Sequence, residues 1–173
     1  PIREQGAAVI FALDISRSMT ADDIQPSRLE FAARFADRLA AQLPSVPCGL
    51  VLFKGEAVLS IPVTINRRAL SDGLQAANPA LLTSPGSVPA QAIKRAASAF
   101  PPSLAASRYI ILLSDGEQTA GALTEAAAEL RRQGITLVTI GVGTESGAEI
   151  NAFPSPDNVR MHRTRLEKTL LEE

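Results

Sequence analysis

The sequence is poor in the residues that most often carry chemistry: among 173 residues there are one cysteine, one histidine and no tryptophan. A lone Cys48 excludes an internal disulfide, and its neighbours Gly49, Leu50 and Val51 make it a small buried hydrophobe rather than a nucleophile. His162 lies beside Arg160 and Arg163, far from any motif, and reads as a solvated surface residue rather than a general base. Neither sign of charge dominates: 17 basic against 18 acidic side chains leave a net charge of −1. That balance offers no electrostatic footprint for nucleic acid or for an anionic membrane surface. Long apolar runs are missing too. The longest, Ala7 to Leu13, falls far short of the roughly 20 residues a membrane-spanning helix needs, and no secretion signal opens the chain. The P-loop pattern G-x-x-x-x-G-K-[ST] is absent. Gly141-Val142-Gly143 does not extend to G-x-G-x-x-G, because Ser146 stands where the third glycine belongs, so these glycines serve backbone turning.

What is present suits one domain. Of the 173 residues, 46% are apolar, enough for a substantial core but crowded for two independent ones. Residues 1–173 therefore read as a single domain. The opening at Pro1 and an apparent helix at Leu166 to Glu173 imply that it is cut from a longer protein.

Ala7 to Leu13 has the continuous apolar character of a strand buried on both faces of a parallel sheet, and it stops at Asp14. Ser27-Arg28-Leu29-Glu30 is a capping box, and Leu29, Ala32, Ala36, Leu39 and Leu43 continue at helical spacing to about Gln42 or Leu43. Gly49 to Phe53 and Ala57 to Ile61 flank Lys54-Gly55-Glu56 as a hairpin that adds one antiparallel edge strand, with Pro62 as its stop. A short helix covers Arg67 to Gln75. After a loop rich in Pro, Ser and Gly, Ser87 precedes Val88, Ala92, Ala96 and Ala99 at helical spacing, with Pro89 in the first turn. Tyr109 to Leu113 is a second buried strand ending in Ser114-Asp115-Gly116. A helix over Leu123 to Arg132 stops at Gly134, and Ile135 to Ile140 is a third strand. Beyond Gly147, Pro154, Pro156 and Asp157 indicate a loop before the final helix. The alternation predicts an α/β fold of Rossmann-like, doubly wound type: a mainly parallel sheet with one antiparallel edge strand and helices on both faces. Its crevice lies at the carboxyl ends of the strands.

That is where the polar residues collect. Asp14, Ser16 and Ser18 place three oxygen-bearing side chains at alternate positions just past a strand, so an extended turn points them to one side. Asp115 ends another buried strand and reaches the same crevice if the two strands are neighbours; Ser87, at a helix start, adds a third segment. Alone, each aspartate is a common turn former and Ser87 a common N-cap. Together they make a ligand set of hard oxygens, without histidine or cysteine, which favours Mg²⁺ or Mn²⁺, admits Ca²⁺ less readily and argues against zinc. Two carboxylates balance a dication only formally. If either binds through water, the metal retains an appetite for an anionic ligand from outside.

At these residues the chain resembles the von Willebrand factor A family. The metal-ion-dependent adhesion site of that family combines D-x-S-x-S, a distant threonine at a helix start and an aspartate after a later strand, here Asp14-x-Ser16-x-Ser18, Ser87 and Asp115. Asp14-Ile-Ser-Arg-Ser-Met19, Pro26-Ser-Arg-Leu29, Ser114-Asp-Gly-Glu117 and the run from Thr139 to Gly147 are similar to the bacterial aerotolerance-operon (Bat-type) branch. Serine replaces the usual threonine: Gly86-Ser87-Val88-Pro89-Ala90 occupies the family's G-T-x-x-G stretch, with Thr83, four residues earlier, as the rival. The resemblance implies a non-enzymatic module whose metal is completed by an Asp or Glu of a protein partner. It also implies that Asp115 exchanges between water-mediated and direct contact, and that flanking segments anchor the domain on the outer side of the cytoplasmic membrane. The competing class is a Mg²⁺-dependent phosphohydrolase or phosphotransferase, which an acidic crevice on an α/β sheet would also suit. Haloacid-dehalogenase-type enzymes, however, want a second aspartate where Ser16 stands, and receiver domains want an acidic pair after the first strand. A third possibility is a scaffold whose metal only ties loops together.

Overall fold

The computed structural model describes residues 6–102, 106–117, 123–153 and 160–164, with side chains up to residue 149. Strand β1 (Gly6–Asp14) is the centre of a five-stranded sheet. It is followed by a 3-10 turn (Arg17–Thr20), helix α1 (Arg28–Ala41), β2 (Cys48–Phe53), β3 (Ala57–Thr64), α2 (Arg67–Gln75) and a second 3-10 turn (Pro79–Leu81). Helix α3 (Pro89–Ala97), β4 (Ala106–Ser114), α4 (Leu123–Arg132) and β5 (Ile135–Gly141) come next. The sheet order is β3-β2-β1-β4-β5, parallel throughout except for the β2–β3 pair.

Alternation along β1 explains why both its faces are apolar. Val9, Phe11 and Leu13 pack with Leu29, Ala32 and Ala36 of α1 and Leu70 and Leu74 of α2. Ala8, Ile10 and Ala12 face the other way, against Ala92, Ile93 and Ala96 of α3 and Ala126 and Leu130 of α4. Successive strand side chains point to opposite faces, so a strand covered by helices on both sides must be apolar at every position. Cys48 is free and buried within the first of these cores.

Three expectations change. Pro62 does not stop β3, which continues to Thr64. The strand is at the sheet edge with β2 as its single neighbour, and the pairing shifts register between Leu50–Ile61 and Cys48–Thr64, so a missing N–H is tolerated there. Helix α3 begins one residue later than a Ser87 cap would require: its N-cap is Val88, without a side-chain cap. Beyond Gly147 the chain forms a small antiparallel ribbon, β6 (Ala148–Phe153) with β7 (Arg160–Thr164), two strands that the sequence pattern did not indicate. The ribbon depends on pairing between distant residues, to which a local pattern is blind. His162 sits on β7 opposite Ile150. The expected loop at Pro154, Pro156 and Asp157 and the helix at Leu166 to Glu173 lie outside the described residues.

Candidate metal centre

Because β1 and β4 are parallel neighbours, with Leu13 opposite Leu113, Asp14 and the Ser114-Asp115 pair emerge side by side at the carboxyl edge of the sheet. This is a topological switch point: the chain leaves β1 for β2 on one side, and β4 pairs on the other. Asp14 is fully buried. Its Oδ1 accepts the backbone N–H of Ser16 at 2.8 Å, closing a tight turn off the strand. The segment then coils rather than staying extended: Ser16 has extended backbone, but Arg17–Thr20 forms the 3-10 turn. The Ser16 and Ser18 hydroxyls nevertheless meet, with their oxygens 3.0 Å apart.

The other Asp14 oxygen, Oδ2, accepts two hydroxyls, Ser114 at 2.7 Å and Ser87 at 2.9 Å. Ser87 thus spends its hydroxyl on the strand-end carboxylate instead of capping its own helix. It is buried, whereas Thr83 is exposed. The hairpin holds the Ser87 loop from beneath: the backbone N–H of Val88 donates to the Lys54 carbonyl and that of Gly55 to the Ser84 carbonyl, at 2.9 and 3.3 Å. Lys54 Nζ donates to the carbonyls of Pro79 and Leu82. Gly55 is needed for this approach, because a Cβ there would lie 2.0 Å from the Pro85 carbonyl oxygen. Gly86, just before Ser87, has φ +96°, a left-handed conformation that favours glycine.

Asp115 is also buried, and its partners differ. Oδ1 accepts the backbone N–H of Glu117 at 3.1 Å; Oδ2 accepts Nη1 of Arg28 at 2.9 Å. Arg28 is completely buried, and its Nε and Nη2 form a fork on Asp23 at 2.7 and 2.9 Å. Along the sequence Arg28 belongs to the capping box and to the Pro26–Leu29 stretch, and Ser114 and Thr144 fall within motif stretches, but nothing there assigns them a place in the site, and Asp23 does not stand out at all. A signal existed: an arginine at the first position of a helix opposes the helix dipole, which favours anions there, so another partner had to justify it.

Electrostatics set the two aspartates apart from surface carboxylates. Burial pushes the Asp14 carboxyl above its ordinary value, against the hydrogen bonds it accepts. Burial and then the neighbouring Asp14 charge push Asp115 up to about 7, with the Ser18 hydroxyl and the Glu117 N–H acting in the opposite direction. No lysine or arginine pairs with Asp14 among the described residues. Two buried carboxylates that resist ionisation, beside a pair of touching hydroxyls, form a site whose donors fit a hard divalent cation. Among the described residues no group of three or more His, Cys, Asp or Glu assembles, so hydroxyl oxygens would have to share the coordination with the two aspartates.

A sheet with this switch point and this cluster belongs to a defined class: the chain is a member of the von Willebrand factor type A domain family, whose model matches residues 8–171. Among curated relatives, a UPF0353 protein of Mycolicibacterium paratuberculosis is 34% identical over 159 residues, 82% of this chain and 46% of the relative. The chain thus spans about half the length of the curated relatives it matches. Among solved structures, the conserved hypothetical protein BatB from Bacteroides thetaiotaomicron is 35% identical with TM-score 0.89, covering 96% of this chain and 84% of that one. An aerotolerance-related membrane protein from Bacteroides fragilis is 34% identical with TM-score 0.88, covering 96% and 85%. The fold alone is shared with mussel byssus proximal thread matrix protein 1, solved with a zinc-occupied MIDAS motif, and with manganese-loaded TRAP protein of Plasmodium vivax, at TM-scores 0.66 and 0.63. Among the described residues of this chain no helix is long and apolar enough to cross a membrane.

Proposed function

We propose that the domain is a non-enzymatic binding module that takes up one divalent cation, Mg²⁺ or Mn²⁺ before Ca²⁺, and uses it to engage an Asp or Glu of a protein partner. The observation that carries this reading is the convergence of Asp14, Ser16, Ser18, Ser87 and Asp115, drawn from three separate segments, into one buried cluster whose candidate donors are all oxygens, at the sheet's switch point. Asp14, Ser16, Ser18 and Ser87 would hold the ion, with Asp115 alongside. The bound cation would supply a Lewis-acidic position for a carboxylate from outside.

The chain's own residues do the preparatory work. Ser114 and Ser87 orient Asp14 through Oδ2, and the Ser16 N–H fixes Oδ1, so the carboxylate cannot rotate away. The phosphohydrolase alternative gains nothing from the geometry: Ser16 occupies the place of a second carboxylate, and its hydroxyl is engaged with Ser18. Attachment to the outer side of the cytoplasmic membrane through segments flanking this domain is part of the proposal. It draws on the aerotolerance-related membrane protein and on the greater length of the curated relatives.

The test is affinity capture of binding proteins in Mg²⁺, in EDTA and with Asp14→Ala. Capture that needs both the metal and Asp14 supports the module; identical capture in all three conditions overturns it.

A further inference from the structure

The Asp23–Arg28 pair lies outside the proposed ligand set, yet it is tied into it more firmly than a capping residue needs to be. The three guanidinium nitrogens of Arg28 are engaged in a fixed pattern: Nε and Nη2 on the two oxygens of Asp23, and Nη1 on Oδ2 of Asp115. Asp23 is held in turn by the loop after β5, because its Oδ2 accepts both the backbone N–H and the hydroxyl of Thr144, each at 2.8 Å. The flat guanidinium rests on Gly143. A Cβ at that position would come within 2.9 Å of Nε and 3.0 Å of Cζ, and φ there is +142°, so backbone conformation and close approach both call for glycine. Three segments, the Asp23 loop, the loop after β5 and the end of β4, therefore surround one arginine, and that arginine grips one oxygen of Asp115.

We infer that Arg28 is a positioning residue for the metal centre. It holds Asp115 by Oδ2 while the Glu117 N–H holds Oδ1, so that Asp115 faces a cation through water and leaves a coordination position for the partner's carboxylate. This inference rests on the proposed function. A planar fork suits the task better than an ammonium group, since it grips Asp23 with two nitrogens and aims the third at Asp115 along a fixed direction. The fixed positive charge beside Asp115 also lowers the charge available to a dication. Arg28 therefore weakens metal binding, and the metal is left short of anionic ligands.

The experiment uses Mn²⁺ as the probe, with affinity measured calorimetrically and metal-bound water counted from water-proton relaxation. Arg28→Gln is expected to raise Mn²⁺ affinity about tenfold, the scale of changes made just outside a metal's ligands, and to remove one bound water as Asp115 moves into direct contact. Adding Asp115→Asn to Arg28→Gln should abolish the gain. Arg28→Lys keeps the charge without the fork, and should recover affinity toward the original without restoring the full water count. Because Arg28→Gln leaves Asp23 buried without its partner, the paired variant Asp23→Asn/Arg28→Gln provides the same comparison in a fold relieved of that charge. A folded variant of either kind with unchanged affinity and water count would overturn the role and reduce Arg28 to a structural clasp. Failure of the unaltered protein to bind Mn²⁺, or binding indifferent to Asp14→Ala, would instead remove the metal centre itself and this inference with it.

Discussion

At the scale of single residues, the decisive feature is that two carboxylates are buried within one polar cluster and that, among the described residues, Asp115 pairs with an arginine while Asp14 does not. Asp14 is surrounded by hydroxyls and an N–H, whereas Asp115 shares Arg28 with Asp23. The sign of the pH response follows. Burial and the Asp14 charge push Asp115 up to about 7 in the folded protein, against roughly 3.9 for an unperturbed aspartate. Its contribution to stability is complete below the unfolded value and is lost as pH rises toward 7. A cation competes with that proton. Mn²⁺ affinity should therefore rise with pH up to about 7 and level off above it, with proton uptake by buffer during binding near pH 6 and little above pH 8; calorimetry in buffers of different ionisation enthalpy measures both. Asp23 behaves oppositely. The Arg28 hydrogen bonds hold it down to about 2, so its stabilisation is present above the ordinary carboxylate range and disappears as pH falls toward 2. An acid titration of unfolding should show a limb there that Asp23→Asn removes.

At the scale of elements, the site depends on turns whose supports lie elsewhere in the chain. The Ser87 loop rests on the β2–β3 hairpin, and Gly55 permits the contact. Gly55→Ala should displace that loop backbone and weaken Mn²⁺ binding by an order of magnitude or more, while destabilising the fold by about 1–3 kcal/mol, as overpacking does. Titration with Mn²⁺ and urea unfolding check the two effects separately. Helix α1 offers a contrasting case. Its Ser27 hydroxyl accepts the Glu30 N–H, so Ser27→Ala should cost about 1 kcal/mol in urea unfolding. Since Arg28 is anchored independently by Asp23 and Asp115, metal affinity should barely change.

At the scale of the whole molecule, the sheet packs between two helical layers, and the candidate ligands gather at one edge of it. A cation that binds only the folded chain stabilises it by mass action, about 2.7 kcal/mol at a hundred times its dissociation constant. Thermal unfolding should therefore shift upward on adding Mg²⁺ or Mn²⁺ and return with EDTA, and Asp14→Ala should abolish the response. A shift that persists in Asp14→Ala would place the ion somewhere other than this cluster.

Much of this was legible along the chain. Continuous apolar runs ending at Asp14 and at Ser114-Asp115 identified central strands and the edge where they end, because a strand covered on both faces has no room for polar residues. The spacing of Asp14, Ser16 and Ser18, and Ser87 before Pro89, marked the oxygen cluster. The tertiary structure decided what depends on pairing between distant residues. It made β1 and β4 neighbours, turned the Ser87 hydroxyl onto Asp14 instead of its own helix, carried β3 through Pro62 at an edge that needs no N–H, and formed the β6–β7 ribbon. It also buried Arg28 between Asp23 and Asp115, 5 and 87 residues away in sequence. Local periodicity reports which face of an element is dry. Which charge meets which inside the protein is settled only once the chain has closed on itself.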